Sequence, residues 1–151
     1  MKVKTFRGKL ADGAIDRIRL STNNGLTGYK IKRFDLMGTD YGTAGGDYHS
    51  SVVQIFKSEP DTVSEVVNFT DPLLMAAATF ERFTSVGTLT QSLFFDNEVI
   101  NQDIFVAHKD SQADVACNYY IELEQVKLDL NEATVTTLKD MRAGPDTNFG
   151  P

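Results

Sequence analysis

The sequence predicts a mainly β domain, a two-sheet antiparallel sandwich of about eight strands with one or two short helices. Short apolar stretches recur along the chain, and clusters of turn residues separate them. Several stretches alternate apolar and polar residues, which is the two-residue period of a strand with one buried face. Strands at such short spacing are typical of a sandwich, and a jelly roll is the candidate topology.

Eight segments have strand character. The alternation is clearest in residues 15–20, where Asp16, Ile18 and Leu20 share one face. In the last segment Tyr119, Ile121 and Leu123 share the inward face before Gln125, and Val126, Leu128 and Leu130 share the other face after it. This change of phase predicts a bulge or bend near Gln125. An Asp-Gly dipeptide at 12–13 is a hairpin signal between the first two strands. The predicted strands are residues 3–10, 15–20, 28–37, 51–57, 63–69, 92–95, 103–109 and 117–130.

Two helices are predicted. Asp71 and Pro72 precede the alanine-rich run LLMAAATFERF. Asp at the N-cap and Pro at the first helical position favour a helix of about three turns over residues 73–83. Asn131 is predicted to cap a second helix over residues 132–142.

The length of 151 residues fits one domain. We expect a sandwich over residues 1–143 and a flexible arm over 144–151, because the tail GPDTNFGP contains two glycines and two prolines. The N-terminus has no apolar run of signal-peptide length, and no stretch approaches the roughly 20 apolar residues that span a bilayer. The sequence therefore predicts a soluble protein without a membrane partner.

Charge is distributed unevenly along the chain. Residues 1–33 contain nine basic and two acidic residues, a net charge of +7, whereas residues 34–151 have a net charge of −13. Basic N-terminal strands could pair with acidic C-terminal strands inside one molecule. Alternatively, a basic edge could dock on the acidic face of a neighbouring copy. The net charge of −6 argues against a nucleic-acid partner, and we do not expect the Phe and Tyr residues to alternate with the basic ones as stacking platforms.

The sequence contains few residues in patterns typical of catalytic or metal-binding sites. His49 and His108 have no second His or Cys at ligand spacing, so zinc is not predicted. Cys117 has no nucleophile motif around it, and a single cysteine cannot form an internal disulfide. Glu122 and Glu124 share a strand face, which is more typical of a solvated face than of a pair of acid–base carboxylates.

Oxygen ligands are concentrated in residues 96–103, where Asp96, Asn97, Glu98, Asn101 and Asp103 occur. Their spacing differs from that of a calcium loop, and turn formation explains them more simply. We therefore predict no metal, no cofactor and no enzymatic activity.

Contact elements are the remaining functional candidates. A glycine-rich loop over residues 38–47 leads to a strand, and aromatic residues lie in and beside it. These aromatics, the one in the terminal arm and the basic residues of the first strands form the candidate interface. Its residues are Arg7, Arg17, Arg19, Lys30, Lys32, Arg33, Tyr41, Tyr48 and Phe149.

Three stretches together resemble virion structural proteins of marine tailed bacteriophages, of the cyanophage and pelagiphage kind. They are LADGAIDRIRLSTNNGLTGYKIKRF at 10–34, FDNEVINQDIFVAHKD at 95–110 and ACNYYIELEQVKLDLNEATVTTLKDMR at 116–142. The resemblance covers most of the chain, is most specific over residues 118–140 and varies over residues 38–91. It brings no catalytic residues with it.

This resemblance implies a protein made in the bacterial cytoplasm and located in the virion. A small acidic β domain present in many copies suits a capsid decoration or cement protein that stabilises the head shell. Its partners would be the major capsid protein or other virion proteins, and we expect a homo-oligomer, with a trimer as the working hypothesis. The alternatives are a tail or neck component and a host-recognition or carbohydrate-binding module.

Overall fold

The structure is a computed structural model, and it describes residues 2–22, 24–39, 49–83, 87–95, 97–111 and 115–142. These residues form eight strands and one helix. The elements are β1 (Lys2–Leu10), β2 (Ile15–Ile18), β3 (Thr27–Gly38), β4 (His49–Phe56), β5 (Leu74–Phe83), β6 (Gly87–Phe94), β7 (Ile104–Ser111), β8 (Cys117–Lys127) and α1 (Leu130–Arg142). The predicted fold class, a mainly β two-sheet antiparallel sandwich, is confirmed.

The strands form a small sheet in the order β1-β8-β3 and a large sheet in the order β2-β7-β4-β5-β6. A jelly roll pairs the first strand with the last, the second with the second last, and so on inwards. Three of these four pairs, β1 with β8, β2 with β7 and β4 with β5, are hydrogen-bonded here. The fourth differs, because β6 is hydrogen-bonded to β5 and lies near β3 without joining the small sheet.

The core lies between the two sheets and comes from the inward-facing residues of both. In β8, Tyr119, Ile121 and Leu123 are buried at every second position, as the alternation predicted. In β3, Phe34 lies opposite Ile121 and is almost completely buried. Strand β4 is buried on both faces, because its inner face meets the core and an irregular segment lies over its outer face, where the Gln54 amide donates to the backbone carbonyls of Ser64 and Val66.

The helix predicted over residues 73–83 is wrong, because this run forms strand β5. Asp71 does cap a turn, with its Oδ1 accepting a hydrogen bond from the backbone N–H of Leu73. Beyond this turn, however, residues 74–78 are all buried between β4 and β6. Burial in the sheet overrides the helix propensity of three consecutive alanines, since propensity is a weak effect per residue.

Other local predictions also need correction. Residues 63–69 form no strand and instead belong to an irregular segment over the outer face of the large sheet. The turn at 12–13 does not close a hairpin, because β1 and β2 belong to different sheets. The bulge predicted near Gln125 of β8 is wrong, because Gln125 pairs in regular register with Lys2 of β1 and Tyr29 of β3. A bulge does occur on β3, where Lys32 is the extra residue opposite Glu122 and Leu123.

Candidate docking surfaces

Three basic residues of the candidate interface form ion pairs within the molecule. Arg17 contacts Asp103 at 2.6 Å, Lys32 contacts Glu124 at 3.7 Å, and Arg33 contacts Glu122 at 3.6 Å. Each pair joins an N-terminal strand to an acidic residue near or in a C-terminal strand. Pairing inside one molecule, one of the two interpretations of the uneven charge, is therefore confirmed at these three positions.

Strand β1 carries basic residues of a different kind. Lys2, Lys4, Arg7 and Lys9 are exposed, and in the described part of the chain none of them forms an ion pair. Lys4 instead lies over the ring of Tyr29, with its Nζ 5.8 Å from the ring centroid. The edge of the small sheet therefore has positive charge that is available to an outside partner.

Arg19 and Lys30 also have no ion pair among the described residues, and Arg19 is exposed whereas Lys30 is half-buried. The three aromatic candidates Tyr41, Tyr48 and Phe149 lie outside the described residues, as do most of the glycine-rich loop and the whole predicted arm. Their predicted contact roles stay predictions.

A concavity of about 570 Å³ lies on the outer face of the small sheet. Arg7, Tyr120 and Asp35 are directly opposite one another on β1, β8 and β3, so their side chains share this face. The Tyr120 hydroxyl donates a hydrogen bond of 2.7 Å to Glu122, which raises the pKa of Tyr120. The guanidinium of Arg33 lies over the same ring, 5.5 Å from its centroid. The floor of the concavity combines an aromatic ring with charges of both signs.

Helix α1 exposes an apolar stripe. Leu130, Val135, Leu138 and Met141 are 73%, 65%, 50% and 61% exposed. At 100° per residue they lie within less than half of the helix circumference. The sequence did not predict that this stripe is exposed, because apolar residues on one side of a helix are typical of a buried face. Exposed apolar surface of this kind marks sites of protein interaction.

The start of α1 also differs from the prediction. Asp129, rather than Asn131, is the N-cap residue. Its Oδ1 accepts a 2.7 Å hydrogen bond from the backbone N–H of Glu132, and the Glu132 side chain accepts one from the backbone N–H of Asp129. This reciprocal pair is a capping box that fixes where the helix begins.

The opposite side of α1 is tied to the sandwich by Asn101, which is completely buried. Its side-chain amide donates to the hydroxyl of Thr137 at 2.6 Å and to the backbone carbonyl of Gly25 at 3.0 Å. Its backbone N–H donates to Asp140 at 3.1 Å. Burial raises the pKa of Asp140 to about 6 in spite of this hydrogen bond. The apolar stripe is therefore held outward by polar contacts on the inner side of the helix.

Replacing Asn101 with alanine should lower the free energy of unfolding by about 2 kcal/mol, because it removes the donor from the buried carbonyl of Ala133 and from the half-buried groups of Gly25 and Thr137. Urea unfolding measures this loss, and amide hydrogen exchange should show faster opening of α1. Asn97→Ala is the matched control because Asn97 is exposed. Equal losses in the two variants would contradict the role of Asn101.

The residues considered for catalysis are engaged in structural contacts. Cys117 is buried, and burial together with the nearby Asp110 raises the pKa of its thiol to about 12. Since the thiolate is the nucleophile, this thiol is unsuited to attack a substrate. Glu122 and Glu124 do share the outward face of β8, where both form ion pairs with β3.

The oxygen-rich segment does not gather into a calcium site in the part of the chain that the structure describes. The carboxylate of Glu98 forms ion pairs with Lys57 and Lys139, and the carboxylate of Asp103 forms one with Arg17. Across the described ranges, no group of three or more His, Cys, Asp or Glu residues is placed to hold a metal ion. Asp96 lies outside those ranges. Among the same residues, α1 is neither long nor apolar enough to cross a membrane.

No protein-family model matches the chain, and no curated protein matches its sequence. Among solved structures, it is similar to a chain of Desmodium yellow mottle tymovirus. The two share 10% sequence identity, and the match covers 84% of this chain and 87% of the other. At a TM-score of 0.37 this likeness indicates neither a shared fold nor a shared function.

Proposed function

We propose that the chain is a structural protein of a tailed bacteriophage particle that decorates the capsid and stabilises the head shell. The observation that carries this proposal is the apolar stripe of α1, defined by Leu130, Val135, Leu138 and Met141, on the surface of a small charged domain. In isolation such surface is unfavourable in water, and a partner that covers it would gain binding energy.

Two further features support the proposal. The exposed basic residues of β1 suit docking against an acidic partner, because complementary charge guides association. The strand order is close to that of a jelly roll, an architecture that occurs in viral capsid domains and also in lectins. The strand order supports the proposal as an analogy of fold, since folds alone do not determine function. Together with the sequence resemblance, these features favour a multivalent role on a repeating lattice, where modest contacts are multiplied.

The test uses particles that lack the protein, to which purified protein is added back. Wild-type protein should bind at a copy number comparable to that of the shell protein and should raise the temperature at which the heads release DNA. Leu138→Asp should weaken binding by about tenfold or more, because it places a charge in the apolar stripe. Thr62→Asp is the control, since it adds the same charge at an exposed loop position.

Two results would overturn this assignment. If the natural particle contains only a few copies, the protein belongs to the tail or neck. If the Leu138→Asp and Thr62→Asp variants bind equally well, the apolar stripe of α1 is not the docking surface.

A host-recognition or carbohydrate-binding module is the second candidate, and the concavity beside Tyr120 favours it. Carbohydrate sites combine an aromatic platform with polar groups that fix the sugar, and Arg7, Arg33 and Asp35 surround this ring. Glycan-array binding that disappears in Tyr120→Ala would replace the capsid assignment with this one.

A further inference from the structure

Strand β6 is the outer strand of the large sheet, and within the described residues its backbone is hydrogen-bonded to β5 alone. Seven of its eight residues are exposed, so the nearby strand β3 does not cover it. The sequence of β6, GTLTQSLF, contains no charged residue in a chain where 24% of residues are charged. An uncharged outer strand with an open backbone edge is a template for pairing with another strand.

The other sheet edges carry features that prevent such pairing. Edge strand β1 has four exposed basic residues. Two of them, Lys2 and Lys4, lie opposite Gln125 and Leu123 of β8, so their side chains are on the face of the small sheet that faces the core. Edge strand β3 has a bulge at Lys32, and β2 is only four residues long. Lysines, inward-pointing charges, bulges and short strands all discourage edge-to-edge contact. Strand β6 has none of these features.

The residues of β6 are also complementary to themselves. In an antiparallel pair centred on Gln91, Leu89 of one copy faces Leu93 of the other, and Thr90 faces Ser92. Apolar pairs and hydroxyl pairs at directly opposite positions stabilise antiparallel sheets. We propose that β6 pairs antiparallel with β6 of a second copy about a two-fold axis at Gln91, which joins the two large sheets into one continuous sheet.

This pairing would bring together exposed apolar side chains of β6 and of the segment next to it. Leu89 and Leu93 are 58% and 48% exposed and lie on the outer face of the large sheet. Leu93 is opposite Ala77, and Ala77 is opposite Gln54, whose amide donates to the backbone carbonyl of Val66. The side chain of Val66 is 70% exposed. A two-fold axis at Gln91 would double this patch across the junction, and an isologous contact of this kind closes at two copies.

This pairing goes beyond the proposed function and does not depend on it. It also replaces the trimer hypothesis with a dimer. A dimer that fails to bind particles would support the pairing and reject the decoration role. A monomer that still binds particles would reject the pairing and support the decoration role.

The experiment places single cysteines along β6 in the full chain and measures intermolecular disulfide formation under mild oxidation. Gln91→Cys should give a cross-linked dimer, because residues directly opposite in an antiparallel pair lie within disulfide reach. Leu89→Cys should not, since its copies are four residues out of register, roughly 13 Å apart. The native Cys117 is buried, so the wild-type protein should form no intermolecular disulfide and gives the background level.

Sedimentation across a range of concentrations provides the second measurement. Wild-type protein should dimerise, and Gln91→Lys should shift the dissociation constant upward by at least about tenfold, because two like charges would face each other at the axis. Thr5→Lys, an exposed position on the edge strand β1, should leave it unchanged. Equal cross-linking at positions 89 and 91 would overturn the proposal. So would a wild-type protein that is a monomer and whose β6 amides are protected from hydrogen exchange only after a shell protein is added.

Discussion

Replacing Phe34 with alanine is expected to lower the free energy of unfolding by about 3–5 kcal/mol. Phe34 is 1% exposed and lies in the middle of β3, opposite Ile121 of β8. Its ring fills the space between the sheets, where β3 approaches β5 of the large sheet. Truncation removes apolar burial and leaves a cavity, because residues in strands of both sheets cannot all move to close it.

Equilibrium unfolding in urea measures this loss. Phe34→Leu keeps most of the volume and should lose about 1 kcal/mol. Met37→Ala is the exposed control on the same strand and should change stability by less than about 0.5 kcal/mol, since Met37 is 63% exposed. If Phe34→Ala is no more harmful than Met37→Ala, the position assigned to the Phe34 ring between the two sheets is wrong.

The parts of the fold that follow from the sequence are those with a local signal. Alternation in Tyr119, Ile121 and Leu123 predicted the buried face of β8, because a strand places every second residue on one side. The same alternation put Ile18 and Leu20 on one face, and both are buried. These predictions hold because they need only the period of the strand and no knowledge of its neighbours.

The errors come from interactions that are distant in sequence. The run over residues 74–83 has helix-forming alanines, and its strand form depends on β4, on β6 and on the irregular segment above it. A bulge was predicted on β8 near Gln125, where the pairing is regular, whereas the bulge at Lys32 of β3 was missed, because the register of a strand depends on partners that are distant in sequence. Neither the strand over residues 74–83 nor the position of the bulge can be predicted from the residues of that segment alone.

The same limit applies to the candidate interface. Counting charges identified the basic N-terminal strands, yet it could not separate Arg33, which pairs with Glu122, from Arg7, which has no ion pair among the described residues. The stripe on α1 and the open edge of β6 were both missed. Each becomes visible only when the fold shows which side of an element is left uncovered, since the apolar residues alone predict burial.

Replacing Asp103 with alanine is expected to have the second-largest effect, a loss of about 2–4 kcal/mol at neutral pH. Its Oδ1 accepts hydrogen bonds from the backbone N–H groups of Leu20 and Ser21, at 2.8 and 3.0 Å, and its Oδ2 accepts one from Nε of Arg17 at 2.8 Å. Alanine leaves these donors without an acceptor where the chain leaves β2. Arg17→Met is the matched control, and it should lose less because it keeps both backbone hydrogen bonds.

The pH dependence of this loss distinguishes the carboxylate from simple packing. Burial raises the pKa of Asp103, but the hydrogen bonds from Ser21, Arg17 and Leu20 outweigh it and hold the pKa at about 2, below the ordinary value of 3.8. Since the folded state binds the proton more weakly than the unfolded chain, the contribution of Asp103 is complete above about pH 4 and decreases as the pH falls towards 2. The difference in unfolding free energy between wild type and Asp103→Ala should therefore shrink over that interval in urea titrations at a series of pH values. A difference that stays constant from pH 6 to pH 2 would mean that the charge of Asp103 contributes nothing, and that the variant is destabilised through lost packing alone.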